Sequence, residues 1–257
     1  MRFFDSHSHY NDEKFDEDRE KILHEIYEAG ITKIIVAGYD IESSKKAIDL
    51  SNKYDFIYAI CGISPNDILK TENEIIKQIK EIEDIAKADK VVGIGEIGLD
   101  YHYDFSDRDT QMRFFRAQMD VAAEAGLPVI IHDREAHGDV FDVIHAYRGR
   151  VRGIIHSCSA SAEQVREYVK MGWYISFSGV ITFKNAAGIL DSVRATPRDR
   201  ILVETDCPYL SPVPMRGKLN HSGYLHYTAE KAAELLGMDY AEFCETEMAN
   251  ARTVFGI

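Results

Sequence analysis

The sequence predicts a single barrel of eight alternating β-strands and α-helices, a (β/α)8 barrel that spans residues 1–257. Eight short apolar runs rich in β-branched residues alternate with longer amphipathic stretches. No linker rich in Pro, Gly or Ser interrupts them, and a length of 257 residues suits one such barrel. A doubly wound parallel sheet is the weaker alternative.

Each apolar run is expected to form one strand. The runs are almost continuously hydrophobic, which is typical of parallel strands that are covered on both faces. The predicted strands are residues 2–5, 33–36, 57–60, 91–96, 128–132, 151–156, 173–177 and 201–206.

The stretches between the strands are expected to form helices. Residues 74–86 and 110–125 carry apolar side chains at helical spacing, so each presents one stripe to a core. Gly126 follows the second of these stretches and suits a left-handed helix cap. The tail, residues 227–257, is predicted to form two closing helices separated near Gly237.

Composition and charge exclude some classes of function. Hydrophobic residues make up 45% and charged residues 28%, the mixture of an ordinary globular protein. The net charge of −13 has the wrong sign for a basic surface that coats nucleic acid regardless of sequence. Any phosphate ligand must therefore meet local positive charge.

The chain is expected to be a cytoplasmic protein without a membrane segment. Asp5 and His7 lie where a signal peptide would need an apolar stretch, and no apolar run reaches 18 residues. The four cysteines lie far apart without a C-x-x-C pair, so no disulfide is expected.

Candidate metal ligands collect at the ends of the predicted strands. His7 and His9 are two residues apart at the end of the first strand, so both imidazoles point to one face, which Asp5 shares. Glu96 interrupts an apolar run, where a lone carboxylate is costly unless it is paired or bound to metal. Three more candidates follow other strands: His132, His156 and Asp206.

Barrel enzymes build their sites at this end of the barrel, so the six side chains are expected to converge there. Two carboxylates and four imidazoles suit two divalent ions, with Zn²⁺, Mn²⁺ and Mg²⁺ as candidates. Such ions activate a water molecule for hydrolysis. Asp206 is the candidate to orient that water or take its proton, or it acts as a ligand only.

Further residues are expected around this centre. Glu204 shares a strand face with Asp206 and is predicted to hold a ligand histidine by its second ring nitrogen, or else to fill a polar layer of the barrel. Tyr101 and Phe183 are candidates to stack on bases, although packing is the commoner role. Four basic residues follow strand ends and are predicted to contact a phosphate backbone, or else are solvated loop charges: Arg134, Lys184, Arg216 and Lys218.

Four segments in order resemble the TatD-type metal-dependent hydrolases, which are amidohydrolase-like barrels. They are FDSHSH (4–9), VGIGEIGLDY (92–101), FSG with TFK (177–179 and 182–184) and ETDCPYL (204–210), and the resemblance extends over essentially the whole chain. It implies a dinuclear hydrolase, most often described as a deoxyribonuclease. It further implies that His7, His9, Glu96 and Asp206 hold one ion, that Glu96 bridges both ions as a catalytic residue, and that His132 and His156 complete the second.

The sequence departs from the family pattern on the expected substrate side. After the third strand the family commonly carries Gly-x-His-Pro-His, whereas Ser64 and Asn66 replace the two histidines here. Both can still donate hydrogen bonds to a substrate but cannot carry positive charge. After Asn220, His221-Ser222 replaces the usual Glu-Pro.

Three functions remain open from the sequence. The leading one is a 3′ to 5′ exonuclease on single-stranded DNA, with RNA or tRNA as further candidate substrates and the polarity taken from the resemblance alone. The second is a D-aminoacyl-tRNA deacylase, since the same activated water can attack an ester carbonyl. The third is a non-catalytic barrel that holds metal and serves as a binding module.

Overall fold

The computed structural model describes residues 1–68, 71–103 and 105–257, in which strands alternate with helices. The strands are β1 Phe3–Ser8, β2 Ile31–Ala37, β3 Ile57–Cys61, β4 Val91–Asp100, β5 Val129–Arg134, β6 Gly153–Ile155, β7 Tyr174–Phe177 and β8 Ile201–Val203. The helices are α1 Arg19–Glu28, α2 Ile41–Lys53, α3 Glu72–Ile85, α4 Arg108–Ala125, α5 His137–Ala146, α6 Ala162–Lys170, α7 Ala187–Ala195, α8 Leu225–Leu236 and α9 Tyr240–Phe255. The strands form one sheet in the order β1 to β8, and the fold is a (β/α)8 barrel, as the sequence predicts.

Backbone contacts divide the chain into two compact units, and the first comprises Met1–Val36 and Ser157–Ile257. Here β1 pairs in parallel with β2, and β7 pairs in parallel with β8. Beyond β8, the amide of Asp206 donates to the carbonyl of His7 at 3.0 Å, and the amide of His9 donates to the carbonyl of Cys207 at 2.7 Å. The carboxyl ends of β1 and β8 are therefore neighbours. A single domain over residues 1–257 stays a prediction.

The second unit, Ala37–His156, contains the parallel strands β3, β4, β5 and β6. The predicted end of β4 is wrong by four residues, because its pairing with β5 continues to Asp100 and Arg134. Glu96 thus lies inside β4 and not at its end. Gly98, at φ 144°, allows this close pairing, because a Cβ there would lie 2.0 Å from the carbonyl oxygen of His132.

The helices begin and end close to the predicted positions. The carboxylate of Asp107 accepts a hydrogen bond from the amide of Thr110 at 2.9 Å, so α4 begins two residues before the predicted start. It ends at Gly126 with φ 68°, which confirms the predicted left-handed cap. Helices α8 and α9 confirm the two predicted closing helices, and Phe255 of α9 stacks on Phe4 of β1 with ring centroids 5.9 Å apart.

Candidate metal centre

Two imidazoles and one carboxylate meet where β1 and β8 end, and we call His7, His9 and Asp206 the β1–β8 group. The Nε2 atoms of the two histidines lie 3.1 Å apart. Asp206 Oδ1 lies 3.7 Å from His7 Nε2 and 3.3 Å from His9 Nε2. Both histidines are buried, and Asp206 holds a φ of 54°, a conformation rare outside glycine. These three ligand candidates thus face one another, as the sequence predicts.

Asp5 supports the backbone of the β1–β8 group. Its carboxylate is completely buried and accepts hydrogen bonds from the Thr205 amide at 3.0 Å, the Thr205 hydroxyl at 2.6 Å and the Ser222 hydroxyl at 2.6 Å. Burial raises the pKa of Asp5 to about 6, although these hydrogen bonds act in the opposite direction. Asp5 therefore fixes the residue that precedes Asp206.

Glu204 contacts the chain beside a predicted ligand. Its Oε1 accepts a hydrogen bond from the amide of Ser157 at 3.0 Å, and Ser157 directly follows His156. The structure thus gives Glu204 a backbone contact in this region. The predicted hydrogen bond to a ligand imidazole stays a prediction.

A second group of ligand candidates lies on β4, β5 and the end of β6, and we call Glu96, His132 and His156 the β4–β6 group. Their ligand atoms all lie within 4.8 Å of one another. Glu96 Oε1 lies 2.6 Å from His132 Nδ1 and 3.8 Å from His156 Nε2. Glu96 and His156 are buried, so these polar atoms converge in a site largely shielded from solvent.

Asp100, which the sequence analysis did not select, completes the surroundings of His132. Its buried Oδ2 lies 3.0 Å from His132 Nε2 and accepts a hydrogen bond from Asn66 Nδ2 at 3.2 Å. Its Oδ1 accepts hydrogen bonds from the amides of His102 and Tyr103, both at 3.0 Å. A carboxylate on the second nitrogen of a ligand imidazole fixes the ring's orientation and tautomer. Strand alternation was the available signal, since residues 96 and 100 share one face of β4.

The charges of this cluster depend on one another. Burial opposes charge on His132, but its contacts with Asp100 and Glu96 outweigh burial and raise the pKa of His132 to about 9. Burial also acts against charge on Asp100, yet hydrogen bonds from His132, Tyr103 and Asn66 bring its pKa well below the usual range. Without a cation, both nitrogens of His132 therefore carry protons and face carboxylates.

Both groups fit a divalent cation by the chemistry of their ligand atoms, and the β1–β8 group fits one by spacing as well. Imidazole nitrogens and carboxylate oxygens are the ligands that Zn²⁺ and related ions use. Two ligands that each lie about 2.1 Å from a tetrahedral ion are about 3.4 Å apart. The distances of 3.1, 3.3 and 3.7 Å within the β1–β8 group are close to that value. In the β4–β6 group, His132 Nε2 is hydrogen-bonded to Asp100. The other ring nitrogen, Nδ1, faces Glu96 and is therefore the atom that can bind an ion.

The predicted substrate residues near β3 and β4 already have protein partners. The hydroxyl of Ser64 donates to Asp67 Oδ2 at 2.5 Å, and Asn66 contacts Asp100. The hydroxyl of Tyr101 donates to Asp139 at 2.5 Å, and the guanidinium of Arg108 lies 4.1 Å from the Tyr101 ring centre. One face of the predicted stacking residue is therefore covered.

The predicted cations lie in different surroundings. Arg134 is exposed at the end of β5, and Lys184 and Lys218 are exposed in loops. Arg216 lies with its guanidinium 4.0 Å from the ring centre of Phe183 and donates to the Ser211 carbonyl at 3.0 Å. Their contacts with substrate stay predictions.

Comparisons with known proteins agree with this fold. The model of the family described as TatD related DNase matches residues 4–256, and the chain belongs to this family. It is 42% identical over 255 residues to the uncharacterized metal-dependent hydrolase YabD of Bacillus subtilis, with 99% of each chain covered. It is 31% identical over 259 residues to the 3′-5′ ssDNA/RNA exonuclease TatD of Pectobacterium carotovorum, with 98% of each covered. The protein is therefore a metal-dependent hydrolase of the TatD type.

A solved structure supports the same conclusion about the fold. The crystal structure of YJJV, a TatD homolog from Escherichia coli, aligns with a TM-score of 0.92 at 27% identity and covers 100% of this chain and 98% of its own. Among the described helices, none has the length and apolar character required to span a bilayer.

Proposed function

We propose that the protein is a phosphodiesterase that removes nucleotides from the 3′ end of single-stranded DNA with the help of two divalent ions. The observation that carries this proposal is the pair of groups in which two imidazoles face one carboxylate, the β1–β8 group and the β4–β6 group. The polarity and the nucleic-acid substrate are supported by the name of the Pectobacterium relative.

The side chains of the chain have distinct roles in this proposal. When bound, the ions lower the pKa of a water molecule toward about 7 and polarise the phosphoryl group. Asp206 accepts the proton of the attacking water, because its carboxylate lies beside His7 and His9 and is less buried than either. Asp100 orients His132 through Nε2. The sharing of Glu96 between both ions remains the prediction made from the resemblance.

A second candidate, hydrolysis of D-aminoacyl-tRNA, is favoured by an acidic groove beside Asn66. The groove has a volume of about 610 Å³ and is bordered by five carboxylates and one lysine: Asp40, Glu42, Asp67, Glu74, Glu81 and Lys77. Such a surface attracts a cation such as the ammonium group of an aminoacyl ester. Asn66 links the groove to the β4–β6 group through Asp100.

One experiment separates these functions. The purified protein with Mn²⁺ is mixed with a 5′-labelled single-stranded oligonucleotide and, separately, with D-aminoacyl-tRNA. We expect stepwise shortening of the oligonucleotide, and the variant Glu96→Ala should lose both this activity and most of the second ion. Ester cleavage without shortening would establish the second candidate. Metal binding without either reaction would support the third function, a non-catalytic barrel that holds metal and serves as a binding module.

A further inference from the structure

Two exposed aromatic rings lie directly after β4. Tyr103 and Phe105 are 49% and 65% exposed, and their rings are parallel within 1° with centroids 5.5 Å apart. Apolar rings of this size are normally buried, so a stacked pair in solvent marks a binding surface. Neither residue is among the candidates predicted from the sequence.

A positive charge completes this surface. The guanidinium of Arg134 lies 4.7 Å from the ring centre of Tyr103. Within residues 1–68, 71–103 and 105–257, Arg134 forms no ion pair, while the adjacent Glu135 contacts His102 Nδ1 at 2.9 Å. Among these residues Arg134 thus has no carboxylate partner, in a protein with a net charge of −13. We call Tyr103, Phe105 and Arg134 the aromatic platform.

Two connections link the aromatic platform to the β4–β6 group, one through hydrogen bonds and one through strand β5. The amide of Tyr103 donates to Asp100, which contacts His132. Arg134 lies two residues after His132 on β5, so both side chains leave the same face of that strand. A ligand on the aromatic platform therefore lies beside the β4–β6 group.

We propose that the aromatic platform is a nucleobase-stacking subsite, where a base of a single-stranded nucleic acid extends the stack on the ring of Phe105 while Arg134, which lies over Tyr103, contacts its phosphate. This assignment rests on the proposed function and specifies how the strand is held. A flat aromatic surface with an adjacent cation matches the alternating base and phosphate of a single strand.

Binding is tested in EDTA, so that cleavage does not interfere. The probes are single-stranded oligonucleotides with 2-aminopurine at the first, second or third position from the 3′ end. We expect quenched fluorescence at one of these positions. The double variant Tyr103→Ala/Phe105→Ala should lose the quenching and bind about 10-fold more weakly, the size of one lost stacking contact. The matched control is Tyr27→Ala, because Tyr27 is 48% exposed and lies outside the aromatic platform. This variant should bind like the wild type.

A second comparison distinguishes stacking from general damage to the loop. An oligonucleotide that lacks the base at the quenched position should bind the wild type and the double variant equally. Arg134→Gln should weaken binding of both oligonucleotides and reduce the slope of log affinity against log salt by about one. Equal weakening of the intact and the abasic oligonucleotide by the double variant, or no weakening, would refute the subsite.

The outcomes also separate this assignment from the proposed function. If the wild type quenches the fluorescence, the double variant does not, and no cleavage occurs in Mn²⁺, the subsite is supported and the nuclease is refuted. If cleavage occurs in Mn²⁺ and the double variant binds the oligonucleotide as tightly as the wild type, the nuclease is supported and the subsite is refuted.

Discussion

Replacing Asp100 with asparagine should weaken cation binding at the β4–β6 group, because it removes the hydrogen bond that orients His132. Asp100 receives two backbone amides at Oδ1, and it receives His132 Nε2 and Asn66 Nδ2 at Oδ2. An asparagine offers one oxygen, so in either rotamer its amino group faces two of these donors. If it keeps the backbone contacts, its amino group meets His132 Nε2.

His132 relieves this repulsion by carrying its proton on Nδ1, the atom 2.6 Å from Glu96. A protonated Nδ1 cannot bind a cation. Loss of such a carboxylate partner typically costs 10- to 100-fold in metal affinity, or about 1.4 to 2.8 kcal/mol. We expect Asp100→Asn to weaken one of two binding steps by this amount.

The assay is a titration of Zn²⁺ or Mn²⁺ against a competing chromophoric chelator, with ¹⁵N NMR of the histidine rings to report the tautomer. Asp120→Asn is the matched control, since Asp120 is an exposed residue of α4 that contacts Arg150. Unchanged affinity and tautomer in a folded Asp100→Asn protein would refute the role given to Asp100.

Three further predictions follow, two on turnover and one on stability. Asp206→Asn should lower turnover by roughly 10² to 10⁴ at saturating metal, the usual loss of a general base, and full rescue by excess Mn²⁺ would show that Asp206 is a ligand only. Ser64→His/Asn66→His should raise nuclease turnover, and no gain in a folded double variant with unchanged metal affinity would mean that these positions do not limit the reaction. Burial raises the pKa of Glu247 well above its usual 4.5, so the contribution of Glu247 to stability should fall as the pH rises above 4.5, where only the unfolded chain releases the proton. Glu247→Gln removes this loss. Urea unfolding at pH 4 and 7 should therefore show that the free energy of unfolding of the variant, relative to that of the wild type, increases with pH by up to about 1.4 kcal/mol per unit. A difference between the two proteins that is independent of pH would contradict the assignment.

The barrel could be predicted because its signals are local. Strand hydrophobicity and helix periodicity are read from consecutive residues, and the six ligand candidates are polar residues that interrupt or follow apolar runs. The exact end of β4 could not be predicted this way. It depends on pairing with β5, which is distant in sequence, and this pairing places Asp100 in a strand beside His132.

The rim illustrates a second limit of sequence reasoning. Tyr101, Tyr103 and Phe105 have similar chemistry and lie within five residues, yet Tyr101 contacts Asp139 and Arg108 while the other two rings are exposed. Which ring faces solvent depends on backbone contacts such as the hydrogen bonds from the amides of His102 and Tyr103 to Asp100. Neither hydrophobicity nor spacing records these bonds.

Asn66 shows why the substrate side and the metal side of this site are coupled. The sequence predicts a substrate contact for Asn66, and the structure gives its Nδ2 a hydrogen bond to Asp100, which contacts His132. A histidine at position 66 would approach the same carboxylate, so it would compete with His132 for Oδ2 whenever its ring points inward. Turnover of the double-histidine variant therefore reports a new proton donor only if metal affinity is measured alongside it. A gain in turnover at unchanged affinity assigns the effect to the substrate, whereas a parallel change in both assigns it to the orientation of His132.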